Sequence, residues 1–477
     1  METERLIKRK TTVRKLALKD VNPDLFGEFK SLLSSVKYNI QKDYNTYLLP
    51  KMVWFRILGG FGLILKIKTL ILLILYSIIT TDFDGNDECE SDCVGDFVKI
   101  ENVTYDDVVL AIKELKSSLT AAVDNIPYFI IKGCSEFLIY SLLVLLNLSL
   151  ETKVFTEVWK QTRIIPVFKK GDEQNCKNYR PIAILSPFSK IFESIIHKKL
   201  YNQVENLIST SQHGFIPKRS TTTNLLCLTG KIISSFESGS QLGVIYTDFS
   251  KAFDSTDFGI LLKKIQGIGF HINLIDWLLS YLCKRTLYVY FNNVVSHEFT
   301  STSGVPQGSN IGPLLFILFI NDLACVFKYS ECLFFSDDLK LFDSVRSDLD
   351  SVLLQRDLDC LFKWCIDNRL HLNIEKCGVL SYTRKVQPLN HVYKINNLVL
   401  SRSNTVTDLG IIFDSKLDFS QHIDTMVSKT YHRLGFLKRR TREFSSELTL
   451  KVLYCAHIRP KLEYCSIIWN PNYRNKI

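Results

Sequence analysis

Three carboxylates stand where predicted strands end, and together they could hold divalent cations. Asp248 closes the apolar run GVIYTD, and Asp337 and Asp338 lie between the two apolar halves of CLFFSDDLKLF. If these runs lie side by side in one sheet, the acids form a cluster whose mutual repulsion raises their pKa values. Mg²⁺ prefers oxygen ligands, and two such ions promote in-line phosphoryl displacement. The pattern therefore indicates phosphoryl-transfer chemistry.

Each acid also has an ordinary explanation. An Asp-Asp pair in a turn is most often solvated turn chemistry, because Asp is common in turns. An Asp that follows a strand is no more specific when it is taken alone. The three residues by themselves therefore leave both interpretations open, and their surroundings must decide between them.

The elements predicted around the acids are those of a mixed α and β chain. The continuous apolar run at 243–248 is typical of a buried central strand, and CLFFSDDLKLF predicts a hairpin with the acids at its tip. The runs LYVYFNN and HEFTSTS predict a second hairpin with its turn at Asn292–Asn293. NYRPIAILSPFSK reads as a polar segment before a helix. Helices are expected from Val103 with Thr104 as N-cap, over 135–150, 187–204 and 348–368, from 258, and in LLFILFINDL.

Composition excludes several classes of protein. Of 477 residues, 46% are apolar and 23% charged, which argues against a disordered, collagen-like or coiled-coil chain. The net charge of +10 permits an anionic partner without proving one. The first twenty residues lack a secretory signal, and the 13 cysteines lack zinc spacing. We expect these cysteines to be reduced thiols of the cytosol or nucleus.

The N-terminal segments leave alternatives open. Seven Lys or Arg among the first twenty residues fit a solvated helix face, a nucleic-acid contact or a nuclear import patch. The apolar stretch at 53–80 contains Lys66 and Lys68, and its uncharged part is shorter than the about 20 residues of a membrane span. A core helix, or a segment that does not belong to the working protein, is therefore favoured over a span. Residues 82–96 are acidic and rich in turn formers, as in a linker.

The strings around the acids resemble the motifs of reverse transcriptases, in the order of that family. The resemblance is carried by YTDFSKAFDSTD, SGVPQGSNIGPLLFILFINDL and FFSDD. Within the family, these strings are most similar to those of non-LTR (LINE-type, jockey-like) retrotransposons. Upstream, WKQTRIIPVFKKGD, NYRPIAILSPFSKIFE and QHGFIPKRSTTTNLL are similar to the finger region. Downstream, LHLNIEKC, LGIIFDSKLDFSQHI and LYCAHIRPKLEYCSIIWNP agree. The resemblance runs from about Val103 to the C-terminus.

The resemblance implies an α+β fold, a right-hand polymerase with a small antiparallel palm sheet backed by helices. Fingers would span 97–240, the palm 241–385, and a connection with a truncated helical thumb 386–477. Residues 1–96 would be an extension that is partly disordered or an artefact of the gene model. The endonuclease domain of the family would be missing.

The resemblance also implies roles for the acids and their neighbours. Asp248, Asp337 and Asp338 would be the catalytic ligands of two Mg²⁺ ions, for which Mn²⁺ could substitute. The backbone carbonyl of Phe249 would be a further metal ligand. Lys376 in LNIEK would assist the leaving pyrophosphate. In the metal-binding motif itself, this chain has Ser336 where the family usually has alanine.

Further residues are implied to hold the incoming nucleotide. Phe253 would pack under the sugar and exclude a 2′-hydroxyl, and Gln307 and Gly308 would line the nucleotide and template pocket. Arg180, together with Lys169, would hold the triphosphate, because a guanidinium fork fits phosphate oxygens. Three of these residues also have an ordinary structural explanation: Phe253 could belong to the core, Arg180 could form an ion pair, and Gln307 could cap a helix.

The predicted function is that of an RNA-directed DNA polymerase acting with an RNA template, a DNA primer, dNTPs and the RNA of its element. We expect it in the nucleus and cytoplasm, without stable membrane association. A basic tail would grip the duplex through Arg433, Lys438, Arg439, Arg440 and Arg442. Three alternatives stay open: an inactive nucleic-acid-binding remnant, a membrane protein that uses 53–80, and an intron-encoded reverse transcriptase.

Overall fold

The computed structural model describes residues 97–116, 118, 121–442 and 447–470. The predictions for the basic segment, the apolar stretch at 53–80 and the linker at 82–96 lie outside the described residues. The chain divides into two compact units. Of the described residues, those within 104–148 belong to the first unit, and 97–103 and those from 149 onward belong to the second. The predicted boundaries at 240/241 and 385/386 stay predictions.

The first unit is helical. Helix α1 (Tyr105–Glu114) has Thr104 as its N-cap, as predicted, and Thr104 and Asp107 exchange side-chain to backbone hydrogen bonds in a capping box. Helices α2 (Tyr128–Gly133) and α3 (Ser135–Thr152) follow, and the last residues of α3 belong to the second unit. Within the described part of the chain, α3 is the one helix whose length and composition suit a membrane span, and a core helix passes the same test.

The second unit combines strands and helices, which confirms the predicted α+β class. Its strands are β1 (Thr162–Phe168), β2 (Tyr179–Ile184), β3 (Gln241–Thr247), β4 (Thr286–Phe291), β5 (Val294–Val295), β6 (Phe299–Thr300), β7 (Glu331–Phe335), β8 (Asp338–Val345), β9 (Gly378–Tyr382), β10 (Lys394–Ile395), β11 (Leu398–Val399), β12 (Ser401–Arg402), β13 (Thr405–Asp408) and β14 (Ile411–Asp414). Its helices are α4 (Glu157–Lys160), α5 (Pro187–Val204), α6 (Thr221–Glu237), α7 (Ala252–Ser255), α8 (Phe258–Gly267), α9 (Ile272–Leu282), α10 (Gly312–Ile320), α11 (Asp348–Asp367), α12 (Ser420–Arg440), α13 (Glu447–His457), α14 (Arg459–Glu463) and α15 (Ser466–Trp469).

Sheet I consists of β2, β1, β4 and β5 in that order, with β6 also paired to β4. Strand β1 runs antiparallel to β2 and parallel to β4. The predicted turn at Asn292–Asn293 joins β4 to β5, and both asparagines have positive φ, at 48° and 64°. Positive φ at both central residues is what a tight hairpin turn requires, and Asn tolerates it well.

Sheet II has the order β12-β9-β3-β8-β7. Strand β3 lies at its centre and pairs antiparallel with β8 on one side and β9 on the other. Helix α6 packs on β3 and β7, and α11 packs on β8. The core on the α6 face joins Leu225 and Leu228 to Val244 and Phe342. Only the two-residue β12 runs parallel to its neighbour β9, and the other pairs are antiparallel, so the predicted small antiparallel sheet backed by helices is confirmed.

Two features of the fold differ from the sequence prediction. The segment described from the sequence only as polar contains β2, because its backbone forms hydrogen bonds with β1 from Tyr179 to Ile184. Strand β9 forms the third member of sheet II although no local pattern had indicated it. Helix α5, by contrast, spans the predicted residues 187–204, and Ser186 caps it.

Candidate active site

The three acids meet at one end of sheet II. Thr247 pairs with Leu339, so the next step along both strands sets Asp248 against Asp338. Phe335 pairs with Asp338, which leaves Ser336 and Asp337 as a two-residue turn between β7 and β8. The prediction of acids at a hairpin tip is therefore correct in outline, with the difference that Asp338 is the first residue of β8 rather than part of the turn.

The acids influence each other electrostatically. The pKa of Asp338 is raised from its usual 3.8 to about 6. Desolvation by the surrounding protein is the largest cause, the negative charges of Asp337 and Asp248 add to it, and Lys340 opposes them. A positive charge close to Asp338 would lower this pKa and stabilise the ionised carboxylate.

The backbone of Asp248 is fixed by pairing that continues beyond β3. Asn373 donates its backbone N–H to the Asp248 carbonyl at 2.7 Å, and Ser250 donates to the His371 carbonyl at 2.7 Å. These two bonds lie on either side of the antiparallel β-bridge between Phe249 and Leu372, and they are formed by the residues next to Phe249 and Leu372 in the chain. The Phe249 carbonyl, the implied metal ligand, therefore takes no part in these two bonds.

Lys376 reaches the acid cluster. Its ammonium Nζ lies 2.7 Å from Asp248 Oδ2, and the Lys376 side chain is about two-thirds exposed. The short helical turn Ile374–Lys376, which directly precedes β9, brings it there. The structure thus joins Lys376 to the acids, a pairing that the sequence did not indicate.

Phe253 and the loop GVPQGS contact each other. The Phe253 ring stacks on Phe316 with 4.5 Å between ring centroids, and its carbonyl accepts the Val305 N–H at 2.7 Å. Gln307 Nε2 donates to Asp254 Oδ1 at 3.1 Å. The sequence analysis assigned Phe253 and Gln307 to one nucleotide pocket, and in the structure the segments that carry them are in direct contact.

Gly308 allows the loop to lie against β2. Its φ is +119°, and a Cβ atom added there would stand 2.6 Å from the Ala183 carbonyl oxygen. The Ala183 N–H donates in turn to the Gln307 carbonyl at 2.8 Å. No residue with a side chain fits this approach without strain.

Arg180 and Lys169 lie on the exposed β1–β2 hairpin. Arg180 pairs with Val167 in the ladder, and the Lys169 N–H donates to the Asn178 carbonyl at 2.8 Å. Neither side chain forms an ion pair with another described residue, so the alternative of a structural ion pair for Arg180 finds no support there. The positive charge of Lys169 lowers the pKa of Asp254, although burial raises it overall. These cations therefore remain available to an anion.

Glu193 is a supporting residue that the sequence analysis missed. Its buried carboxylate accepts the Asn310 N–H at 2.8 Å, the Tyr281 hydroxyl at 3.1 Å and the Ser189 hydroxyl at 3.0 Å. From the same helix, Lys190 donates to the Gly308 carbonyl and to Asn310 Oδ1. A sequence signal existed, because an acid among the apolar residues of the α5 core face needs partners.

A second supporting contact involves β8, the strand that begins with Asp338. Lys340 Nζ and Asp408 Oδ2 form an ion pair at 2.6 Å, with side chains only 2% and 4% exposed. Lys340 also donates to Asn224 of α6. This pair ties β8, the strand of Asp338, to the hairpin of β13 and β14.

The implied basic tail lies at the end of α12 and just beyond it. Its side chains are all exposed in the structure: Arg433, Lys438, Arg439, Arg440 and Arg442. The Arg440 guanidinium stands over the Phe436 ring at 5.6 Å. Binding of a duplex by these residues stays a prediction.

Comparison with known proteins identifies the family. The sequence profile of the family described as reverse transcriptase (RNA-dependent DNA polymerase) matches residues 167–413, more than half of the chain. The chain therefore belongs to the reverse transcriptase family. Its fold is accordingly that of a right-hand polymerase, with sheet II as the palm sheet.

Several curated relatives come from non-LTR elements of Drosophila melanogaster. The chain is 27% identical over 385 residues to the probable RNA-directed DNA polymerase from transposon BS, covering 78% of this chain and 42% of that protein. It is 27% identical over 339 residues to the corresponding protein from transposon X-element, covering 68% and 36%. It is 26% identical over 332 residues to the RNA-directed DNA polymerase from mobile element jockey, covering 67% of this chain and 36% of that protein. The chain thus spans less than half the length of these relatives, and the predicted jockey-like resemblance is confirmed.

The family depends in general on divalent metal ions. Within the described ranges, no three His, Cys, Asp or Glu side chains stand close enough to hold one ion together. The donor chemistry nevertheless fits such an ion, because all three acids offer hard oxygen ligands. Positive charge would also offset the repulsion that raises the Asp338 pKa. In this conformation Lys376 supplies that charge to Asp248.

Proposed function

We propose that this chain is the polymerase part of a non-LTR retrotransposon and copies RNA into DNA. It would add a deoxynucleotide to a primer 3′-hydroxyl on an RNA template and release pyrophosphate. The observation that carries the proposal is the meeting of Asp248, Asp337 and Asp338 at one end of sheet II, in a chain of the reverse transcriptase family.

Asp248, Asp337, Asp338 and the Phe249 carbonyl would hold two Mg²⁺ ions, with Mn²⁺ as a substitute. When bound, these ions stabilise charge on the attacking and leaving oxygens of the displaced phosphoryl group. The fixed backbone of Asp248 and the register of β3 and β8 hold the ligands in place before substrate arrives. Rigid elements of this kind suit chemistry that depends chiefly on positioning.

The remaining site residues would bind the nucleotide. Phe253, held on Phe316, would lie under the sugar and leave no room for a 2′-hydroxyl. Gln307 and Gly308 would line the pocket for the base pair. Arg180 and Lys169 would turn their unpaired charges toward the triphosphate.

Lys376 would act in two positions. With no nucleotide bound, its ammonium neutralises Asp248 at 2.7 Å. With substrate present, the exposed side chain would leave Asp248 for the pyrophosphate oxygens and stabilise the leaving group. Lysine suits this movement, because its point charge sits on a flexible stem.

The partners would be the RNA template, the DNA primer and the RNA of the element itself. The exposed basic residues at the end of α12 would grip the duplex backbone, so binding should weaken steeply with salt. The protein would work in the nucleus and cytoplasm, without stable attachment to membranes.

Primer extension on an RNA template with Mg²⁺ tests the proposal. The parent chain is compared with the double variant Asp337→Asn/Asp338→Asn, which keeps the side-chain shapes and removes the charges. We expect extension by the parent and none by the variant. If neither extends a primer while both bind primer–template in a salt-dependent manner, the chain is a nucleic-acid-binding remnant and the proposed activity is wrong.

A further inference from the structure

The turn that carries Asp337 has an unusual backbone. Ser336, its first residue, has a φ of 60°, in the left-handed region that residues with a side chain rarely adopt. Its side chain is buried, and its hydroxyl has no hydrogen-bond partner. The hydroxyl therefore does not hold the turn in this conformation, and the support comes from elsewhere.

A segment between α5 and α6 lies beside this turn. The Phe334 N–H donates to the Ser211 carbonyl at 2.9 Å, and the His213 N–H donates to the Phe334 carbonyl at 2.9 Å. Gln212 thereby forms a parallel bridge with Phe334, the residue two before Ser336. The segment 211–214 extends the edge of sheet II at the point where the catalytic turn begins.

The side chain of Gln212 reaches the turn itself. Its Oε1 accepts the Ser336 N–H at 3.0 Å and the Gly214 N–H at 2.8 Å, while Nε2 faces the Ser336 carbonyl at 3.4 Å. Gln212 is only 3% exposed. Because both neighbours donate N–H groups, the acceptor oxygen must point at them, and this fixes the orientation of the amide.

Gly214 makes this contact possible. A Cβ atom at Gly214 would stand 2.2 Å from the Ser336 nitrogen and 2.9 Å from the Phe335 carbonyl carbon. Both atoms belong to the backbone and cannot turn aside as a flexible side chain could. Only glycine lets the chain pass this close to the turn.

We propose that Gln212 is a positioning residue for catalysis: its amide, seated by Gly214, holds the Ser336 N–H and so sets the directions in which Asp337 and Asp338 point. The catalytic half of this inference rests on the proposed polymerase function, whereas the structural half does not. Partners that orient metal ligands commonly affect metal affinity or activity by about 10–100-fold.

The chain offers a matched control in Gln241. This residue is 2% exposed and also binds the main chain twice, with Oε1 accepting the Leu389 N–H at 3.0 Å and Nε2 donating to the Leu389 carbonyl at 2.9 Å. It lies at the opposite end of β3 from the acids. Gln241→Leu therefore removes similar bonds at similar burial without touching the catalytic turn.

The test compares Gln212→Leu, Gln241→Leu and the parent by three measurements. These are steady-state primer extension, hydrogen–deuterium exchange of the peptide that spans 331–340, and Mn²⁺ binding followed by electron paramagnetic resonance. For Gln212→Leu we expect a kcat lower by about 10–100-fold, a KM for dNTP within about twofold, faster exchange at 331–340 and weaker Mn²⁺ binding. For Gln241→Leu we expect a similar loss of thermal stability and none of these changes.

The conservative variant Gln212→Glu sharpens the result. It keeps an oxygen that accepts both N–H groups, so exchange at 331–340 should be slower and kcat higher than in Gln212→Leu. Recovery should be partial, because the second carboxylate oxygen faces the Ser336 carbonyl where the parent has the Nε2 donor. The inference is overturned if Gln212→Leu matches Gln241→Leu in kcat and in exchange. If the parent extends no primer, the proposed function fails separately, and the exchange and Mn²⁺ measurements still decide whether Gln212 holds the turn.

Discussion

The two sheets of the second unit differ in how they hold the candidate site residues. In sheet II, β3 is buried along almost its whole length, and backbone pairing on both sides fixes Asp248 at its end. In sheet I, β2 is largely accessible, and Arg180 stands on it without an ion-pair partner among the described residues. The acids are thus held by backbone pairing, whereas Arg180 extends from an accessible strand.

The difference has a physical basis. Carboxylates that share a site repel one another, so the fold must hold them together through contacts that do not depend on the ligand. Cations that meet a triphosphate need only reach it, and a long exposed side chain can do so. Substitutions in sheet II should therefore change stability, whereas those on the β1–β2 hairpin should change function alone.

The largest effect is expected from breaking the buried ion pair of sheet II. Lys340→Met should lower the free energy of unfolding by about 3–5 kcal/mol, because it leaves Asp408 buried without a positive partner. Chemical denaturation measures the change. The double variant Lys340→Met/Asp408→Leu should recover most of the loss, since it leaves no unpaired charge.

An exposed ion pair near the same sheet provides the control. Lys231 of α6 and Glu331 of β7 also meet at 2.6 Å, but their side chains are 49% and 60% exposed. Lys231→Met should therefore change stability by less than about 1 kcal/mol. Equal losses for Lys231→Met and Lys340→Met would contradict the view that burial gives the Lys340 pair its importance.

On the β1–β2 hairpin, Arg180→Ala should change function without changing stability. A charge-assisted hydrogen bond to phosphate contributes roughly 1.5–3 kcal/mol, so the KM for dNTP should rise by about 10–100-fold. The melting temperature should stay that of the parent, because the side chain is exposed and has no ion pair to lose. An unchanged KM in primer-extension kinetics would remove Arg180 from the nucleotide site.

The sequence predicted the parts of both sheets that depend on local pattern. The apolar runs around Asp248 and Asp337–Asp338, the Asn292–Asn293 turn and helix α5 all followed from neighbouring residues. It did not predict Lys340–Asp408, Glu193–Asn310 or Gln212–Ser336, whose members are 68 to 124 positions apart in the chain. Such pairs form only after the sheets assemble, so no local spacing predicts them. Strand β9 was not predicted for the same reason.

A smaller effect should appear in the pH dependence of sheet II. The Asp338 pKa of about 6 in the folded protein lies above its usual value of 3.8, so the folded state binds this proton more tightly than the unfolded state does. The negative charge therefore destabilises the fold above about pH 6 and has no such effect well below pH 4. Asp338→Asn should raise the melting temperature at pH 8, and the gain should shrink as the pH falls from 6 to 4. A gain that is independent of pH would show that the charge is not its cause.

The smallest effect is expected at Ser336, within the best-held part of sheet II. Its buried hydroxyl has no partner, and the contact with Gln212 uses only its backbone. Ser336→Ala, which restores the residue usual in the family, should leave primer extension within about twofold and raise stability by up to about 1 kcal/mol, because an unsatisfied buried hydroxyl is removed. Urea unfolding and primer extension measure the two quantities. A tenfold loss of activity at unchanged stability would mean that the hydroxyl contacts substrate or metal, and the turn would then contribute a side chain of Ser336 to the site as well as its backbone.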